Sequence, residues 1–79
     1  MTDLNTKLSK IFSNVLRIPF KNVNNKLSSK NCKKWDSLNH VKLILSIEKE
    51  FFIKIKPEIS LYLLSYSKFL SYVKKIKRS

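Results

Sequence analysis

Apolar residues recur at helical spacing in three stretches of the chain, and each predicts an amphipathic helix. Leu4, Leu8, Ile11, Phe12 and Val15 fall on one face, with Thr2 or Asp3 placed to cap the first turn. Pro19 stops this helix, because the residue before a proline is pushed out of helical geometry, so it runs to about Arg17. Leu38, Val41, Ile44, Leu45 and Ile47 continue through Phe51 and Phe52 in a second helix opened by Asp36. Its stripe is wide, as expected for a helix packed on more than one neighbour. Tyr66, Phe69, Leu70, Val73 and Ile76 share one face of the last helix, which is expected to fray from Lys74 to Arg78.

Between these stretches the pattern breaks in two places. From Ile18 to Trp35, asparagines and serines supply turn chemistry and five lysines make the segment hydrophilic, while Phe20, Val23, Leu27 and Trp35 are spaced as pins onto the core. A connection this long is uncommon in a small domain and points to function. Ile53-Lys54-Ile55-Lys56 alternates, as either a helical extension or an extended link, and Pro57 ends it. Ile59 to Leu64 is a short apolar piece, too brief for a helix stable in isolation. The fold class expected is all-α: a small four-helix bundle with a long first loop and a short third helix, filling residues 1–79 as one domain.

Length and composition fit that expectation. Seventy-nine residues, 43% of them hydrophobic, build one thin core, since a chain of this size buries only roughly 60% of its unfolded surface. No apolar run approaches the ~20 residues that span a bilayer. The first five residues lack a basic stretch followed by an apolar block, so no secretory signal is expected and the expected address is cytoplasmic. One cysteine, Cys32, makes no internal disulfide, and with one histidine it builds no zinc site.

Charge changes the picture more. Seventeen basic residues against five acidic ones give +12, a balance that first suggests nucleic acid or an anionic membrane. The chain has no Gly, Ala or Gln, while Lys, Asn, Ile, Ser, Phe and Tyr are abundant. The favoured residues are mostly those with A- and T-rich codons, so we read much of the lysine excess as genome composition, which a GC-balanced native gene would refute. A basic helical nucleic-acid-binding module is the alternative reading, but it wants Lys and Arg clustered on a recognition helix. Tyr62, Tyr66 and Tyr72 have the spacing of core and rim positions rather than of a base-stacking platform. The Lys74-to-Arg78 tail offers a short basic segment to anionic lipid.

The chemistry concentrates in Trp35-Asp36-Ser37-Leu38-Asn39-His40-Val41. Helix capping by Asp36 or Ser37 accounts for most Asp-Ser pairs that open helices. A hydroxyl in a first helical turn also stands where unpaired N–H groups and the macrodipole stabilise a phosphate ester. Ser37 and His40 lie three apart on one face, but a nucleophilic pair also needs an orienting group and an oxyanion hole, and neither is visible. His40 is expected as an exposed helix residue touching partners, Trp35 as a loop anchor, and Cys32 as a loop cysteine beside lysines.

This motif, with Glu48-Lys49-Glu50-Phe51-Phe52-Ile53-Lys54-Ile55 after it, resembles the acyl carrier protein family. Asp36-Ser37-Leu38 matches the family's Asp-Ser-Leu, Glu48 through Ile55 matches the end of its second helix, and Pro57 and the final helix fall where the family has them. The resemblance implies that Ser37 is esterified with 4′-phosphopantetheine by a separate phosphopantetheinyl transferase. The arm's thiol would carry an acyl or aminoacyl group as a thioester, loaded by an activating ligase or an acyltransferase. Asp36 would cap the helix and assist recognition, and Leu38 and Val41 would form the apolar contact beside the arm. Asn39, His40, Lys42 and Glu48 would meet partner enzymes. On this reading the chain is a monomeric carrier, not an enzyme, with no metal and no specific nucleic acid.

Family members are usually acidic and offer carboxylates of the second helix to basic partners. From Asp36 to Glu50 this chain holds three acids against Lys42 and Lys49, a net −1, while the remainder is +13. Local acidity survives weakly at the docking helix, and the departure points to a dedicated carrier with its own ligase or transferase. Phe52 stands where relatives often carry Gly or Asp, and is expected to extend the core or to restrict the space in which an acyl chain folds back.

Overall fold

The computed structural model describes residues 3–78, with the Arg78 side chain left aside. Helix α1 spans Leu4–Leu16, α2 Ser37–Phe51, α3 Pro57–Ser60 and α4 Tyr66–Arg78, with a 3-10 turn at Phe20–Asn22. The chain is thus all-helical in its main elements, with the long first connection and short third helix expected. Asp3 caps α1, its carboxylate accepting the Thr6 N–H at 2.8 Å. Thr2, the other candidate cap, lies outside the described residues. No helix among the described residues is long and apolar enough to cross a membrane.

Phe12 is the centre of the core. Fully buried on α1, it meets Trp35, Tyr66 and Phe69 edge-on, with ring centroids 5.1–5.4 Å apart. Such edge-to-face pairs set the positive edge of one ring against the negative face of another. Leu8 and Leu16 flank Phe12, α2 contributes Leu43, Ile47 and Phe51, and α4 adds Val73. Ser9 is the buried polar side chain of α1, and its Oγ lies 2.7 Å from the Tyr66 hydroxyl, which also donates to the Asn5 backbone oxygen and side-chain amide oxygen. Burial pushes the Tyr66 phenol above its ordinary value, with Asp3 adding in the same direction and the Ser9 hydrogen bond opposing. A raised folded pKa means the stabilisation is complete below the unfolded value of about 10 and is lost as pH rises through the folded one. The stability gap between wild type and Tyr66→Phe is therefore expected to narrow above pH ~10 in urea titrations; a constant gap would contradict the buried neutral phenol.

The long connection is pinned rather than loose. Leu27 and Trp35 are buried and Val23 half-buried, as their spacing predicted. Phe20 is not a pin: it is about half exposed, because the 3-10 turn after Pro19 rotates it outward. Ser28 pairs with Ser65 in an isolated antiparallel bridge, with Ser29 N–H on the Leu64 carbonyl and Tyr66 N–H on the Leu27 carbonyl, both at 2.9 Å. Asn24 and Asn31 close local turns through their side-chain oxygens. Ile53–Lys56 is the extended link, with Ile55 buried, Ile53 half-buried and both lysines exposed. The end of α4 does not fray: the helix continues to Arg78, with Val73 buried and the Lys77 ammonium donating to the Phe51 carbonyl at the end of α2.

Without glycine, the chain ends two helices on costlier residues. Arg17 and Phe52 both adopt the left-handed conformation, at φ 55° and 56°. Each cap N–H closes the helix, Arg17 onto the Ser13 carbonyl and Phe52 onto Glu48. A side chain in this region crowds the following carbonyl, which glycine avoids. Phe52 is 90% exposed, so it neither extends the core nor gains packing there. Phe52→Gly is expected to raise stability by about 1 kcal/mol, read as a higher urea midpoint at unchanged slope; an unchanged midpoint would count against strain at this cap.

The wide stripe of α2 also has a different explanation from the one expected. Leu43, Ile47 and Phe51 face the core, whereas Leu38, Val41 and Leu45 are more than half exposed. One helix among four turns one face inward, and apolar positions spread this far around its circumference cannot all be covered.

Candidate functional site

Asp36, in extended geometry, is the N-cap of α2 and Ser37 its first residue. The Asp36 carboxylate accepts the Asn39 N–H at 2.8 Å, and its backbone oxygen accepts the His40 N–H at 2.8 Å. Asn39 in turn donates its side-chain amide to the Lys34 carbonyl at 2.6 Å, fastening the loop to the helix entrance. Because the cap role falls to Asp36, the Ser37 side chain is released from it. Ser37 is exposed, and no group among the described residues hydrogen-bonds its hydroxyl. The first-turn N–H groups of Ser37 and Leu38 remain without intrahelical acceptors, as at any helix start.

Beneath this hydroxyl the loop, α2 and the segment after α3 meet. The Trp35 indole Nε1–H donates to His40 Nδ1 at 3.1 Å, so the other ring nitrogen carries the proton and donates to the Ser60 carbonyl at 2.9 Å. The two rings are stacked, 6.2 Å apart. His40 is therefore half-buried and engaged on both nitrogens, not the exposed contact residue expected. It has no nitrogen left to accept the Ser37 proton, which removes the Ser–His pair as a nucleophilic unit. Trp35, 5% exposed, is the loop anchor expected, and through His40 it also positions the helix start. His40 reaches Ser60, twenty positions along the chain, a relation that local spacing does not signal.

Ser37 opens onto a groove of about 420 Å³, with Trp35 and Val41 on its side and Ser60, Leu61 and Leu64 across it. Leu61 is 71% exposed and Leu64 42%. Neither was singled out from the sequence, although the short apolar run from Ile59 to Leu64 was a signal that these side chains do something other than fill a core. Asp36, Ser37, His40 and Val41 thus come together around one groove. Leu38 sits beside Ser37 on the exposed side of α2, outside the lining. Asn39 and Lys42 border a separate groove with Arg17 and Lys34. Glu48, eleven residues along α2 from Ser37, is half-buried and its carboxylate accepts the Ile55 N–H at 2.7 Å, tying the extended link to the helix. Cys32 is half-buried and packs on the core from the loop. Among the described residues no three His, Cys, Asp or Glu side chains converge as a metal site.

Among the described residues the arrangement offers an unbonded hydroxyl on a capped helix start, open to solvent and bordered by apolar surface. No protein-family model matches the chain, and no curated protein matches it.

Proposed function

We propose that the protein is a carrier of the acyl carrier type, holding an acyl or aminoacyl cargo on a 4′-phosphopantetheine arm attached to Ser37. The observation that carries the reading is the Ser37 hydroxyl, exposed, without a hydrogen-bond partner among the described residues and first in α2, within the Trp-Asp-Ser-Leu motif that resembles the family's attachment sequence. The all-helical order with a long first connection and a short third helix supports the same reading.

The residues present suit such an arm. A phosphodiester on Ser37 would lie at the positive end of α2, where uncommitted N–H groups and the macrodipole favour negative charge. Attachment from coenzyme A forms the Ser37 Oγ–P bond, breaks the diphosphate linkage with release of adenosine 3′,5′-bisphosphate, and passes the hydroxyl proton to a base on the transferase. When bound, the group supplies a thiol for thioester formation. Asp36 holds the helix start in shape, Trp35 and His40 brace it from below, and the groove wall of Val41, Leu61 and Leu64 gives apolar surface to whatever is tethered nearby. A flexible arm on a small rigid body delivers its cargo at high effective concentration to each enzyme that docks. Loading would come from an activating ligase or acyltransferase.

The test is intact mass after incubation with coenzyme A and a phosphopantetheinyl transferase of broad specificity. Addition of one phosphopantetheinyl group, mapped to the peptide containing Ser37, is expected, and no addition rejects the reading.

A further inference from the structure

The face of α2 that leads away from Ser37 carries Leu38, Val41 and Leu45, each more than half exposed, and ends at Phe52, 90% exposed. Leu38, Val41 and Leu45, spaced by three and four residues, form one strip along the helix, and Phe52, the left-handed residue after it, borders the same groove as Leu45. A continuous row of large apolar side chains left in water marks an interaction surface.

The charges beside the strip decide what fits it. By count this stretch of sequence is slightly acidic, but its carboxylates do not stand free along the strip. Asp36 is held on the Asn39 N–H, and Glu48, half-buried, on the Ile55 N–H. Glu50 is exposed but lies on the helical row of Leu43 and Ser46, away from the strip. The lysines are placed differently. Lys42 follows Leu38 by four residues and Lys49 follows Leu45 by four, so both sit beside the strip, and both are exposed. Lys54 joins Lys49, Leu45 and Phe52 around the shallow groove at its far end, which Glu48 also lines. The three exposed lysines along the strip, Lys42, Lys49 and Lys54, outnumber its one half-buried carboxylate, Glu48, so the strip is net cationic.

Resting on the carrier reading, we propose that this face docks proteins whose contact surface is apolar at its centre and acidic at its rim. That is the opposite polarity from the basic patches implied by the resemblance. A protein is the fitting occupant because Ser37 heads the strip: an enzyme can cover the strip while opening its active site to the hydroxyl, whereas a lipid leaflet covering it would bury the site.

The experiment measures transfer from coenzyme A to Ser37 of the full chain by two transferases, one with an acidic and one with a basic carrier-facing surface. The acidic-faced enzyme is expected to prefer the wild type. Lys42→Glu with Lys49→Glu is expected to lower kcat/KM about tenfold with it at low salt and to raise it with the basic-faced enzyme. Both effects should fade as salt screens the charges, and Glu50→Lys, off the strip, should change neither rate appreciably. Equal rates for wild type and the double variant, or a wild-type preference for the basic-faced enzyme, would overturn the assigned polarity while leaving the carrier reading intact. Flotation of the wild type, but not the double variant, with phosphatidylglycerol vesicles would assign the strip to lipid and overturn it as well. Failure of both enzymes to modify Ser37 would reject the carrier reading and the docking face with it.

Discussion

Ser37→Ala is expected to take up no phosphopantetheinyl group from coenzyme A under conditions that, on the proposed reading, modify the wild type, yet to unfold at a similar urea midpoint. The two halves of this expectation come from separate observations. Loss of modification follows because Oγ is the atom to which the arm is bonded in the proposed reaction. Retained stability follows because the hydroxyl makes no hydrogen bond among the described residues, while Asp36 performs the capping. Alanine is also the better helix former, by up to about 0.5 kcal/mol. Asp36 itself shows the contrast, since removing an N-cap carboxylate typically costs ~1 kcal/mol. A Ser37→Ala protein that still gained mass would place the attachment elsewhere, and one that lost its cooperative transition would show that the hydroxyl has a structural role.

Phe12→Ala is expected to leave the chain largely without cooperative unfolding. A buried phenylalanine truncated to alanine costs about 3–5 kcal/mol, and a chain of this size has about 4–12 kcal/mol of total stability. The cost should sit at the upper end, because the ring is fully buried and edge-on to Trp35, Tyr66 and Phe69 at once. Removing it withdraws a partner from the loop anchor and from α4 together. Trp35 also bonds His40, so the damage should extend to the entrance of α2. Far- and near-ultraviolet circular dichroism with urea titration checks this. Phe20→Ala is the comparison, expected to change stability by less than about 0.5 kcal/mol as a surface substitution. Equal effects at the two positions would contradict the placement of the core.

Helices α1 and α4 were legible in the sequence because their apolar residues keep to one face. Leu8 and Phe12, or Phe69 and Val73, have few other places to go in a small domain. The α2 entrance was legible for a local reason too: an aspartate before a helical pattern accepts first-turn N–H groups wherever the rest of the chain lies. Trp35 and Leu27 stood out as isolated large apolar residues in a hydrophilic stretch. The two left-handed caps were not legible, since glycine is their usual signal and the chain has none. The extended course of residues 53–56 was one of two open readings, and the Glu48 carboxylate on Ile55, seven residues away, is the contact that accompanies it.

By itself the amino-acid order determined where helices begin, which residues repeat on one side, and that a serine follows a capping aspartate, because each depends on neighbours within a turn or two. Tertiary packing alone decided that Leu43 points inward while Leu38, Val41 and Leu45 stay in water, and that His40 is braced between Trp35 and Ser60. These outcomes depend on which surfaces distant segments bring together. Periodicity reports how apolar residues are spaced around a helix, but the direction that is covered is set by the elements that pack against it.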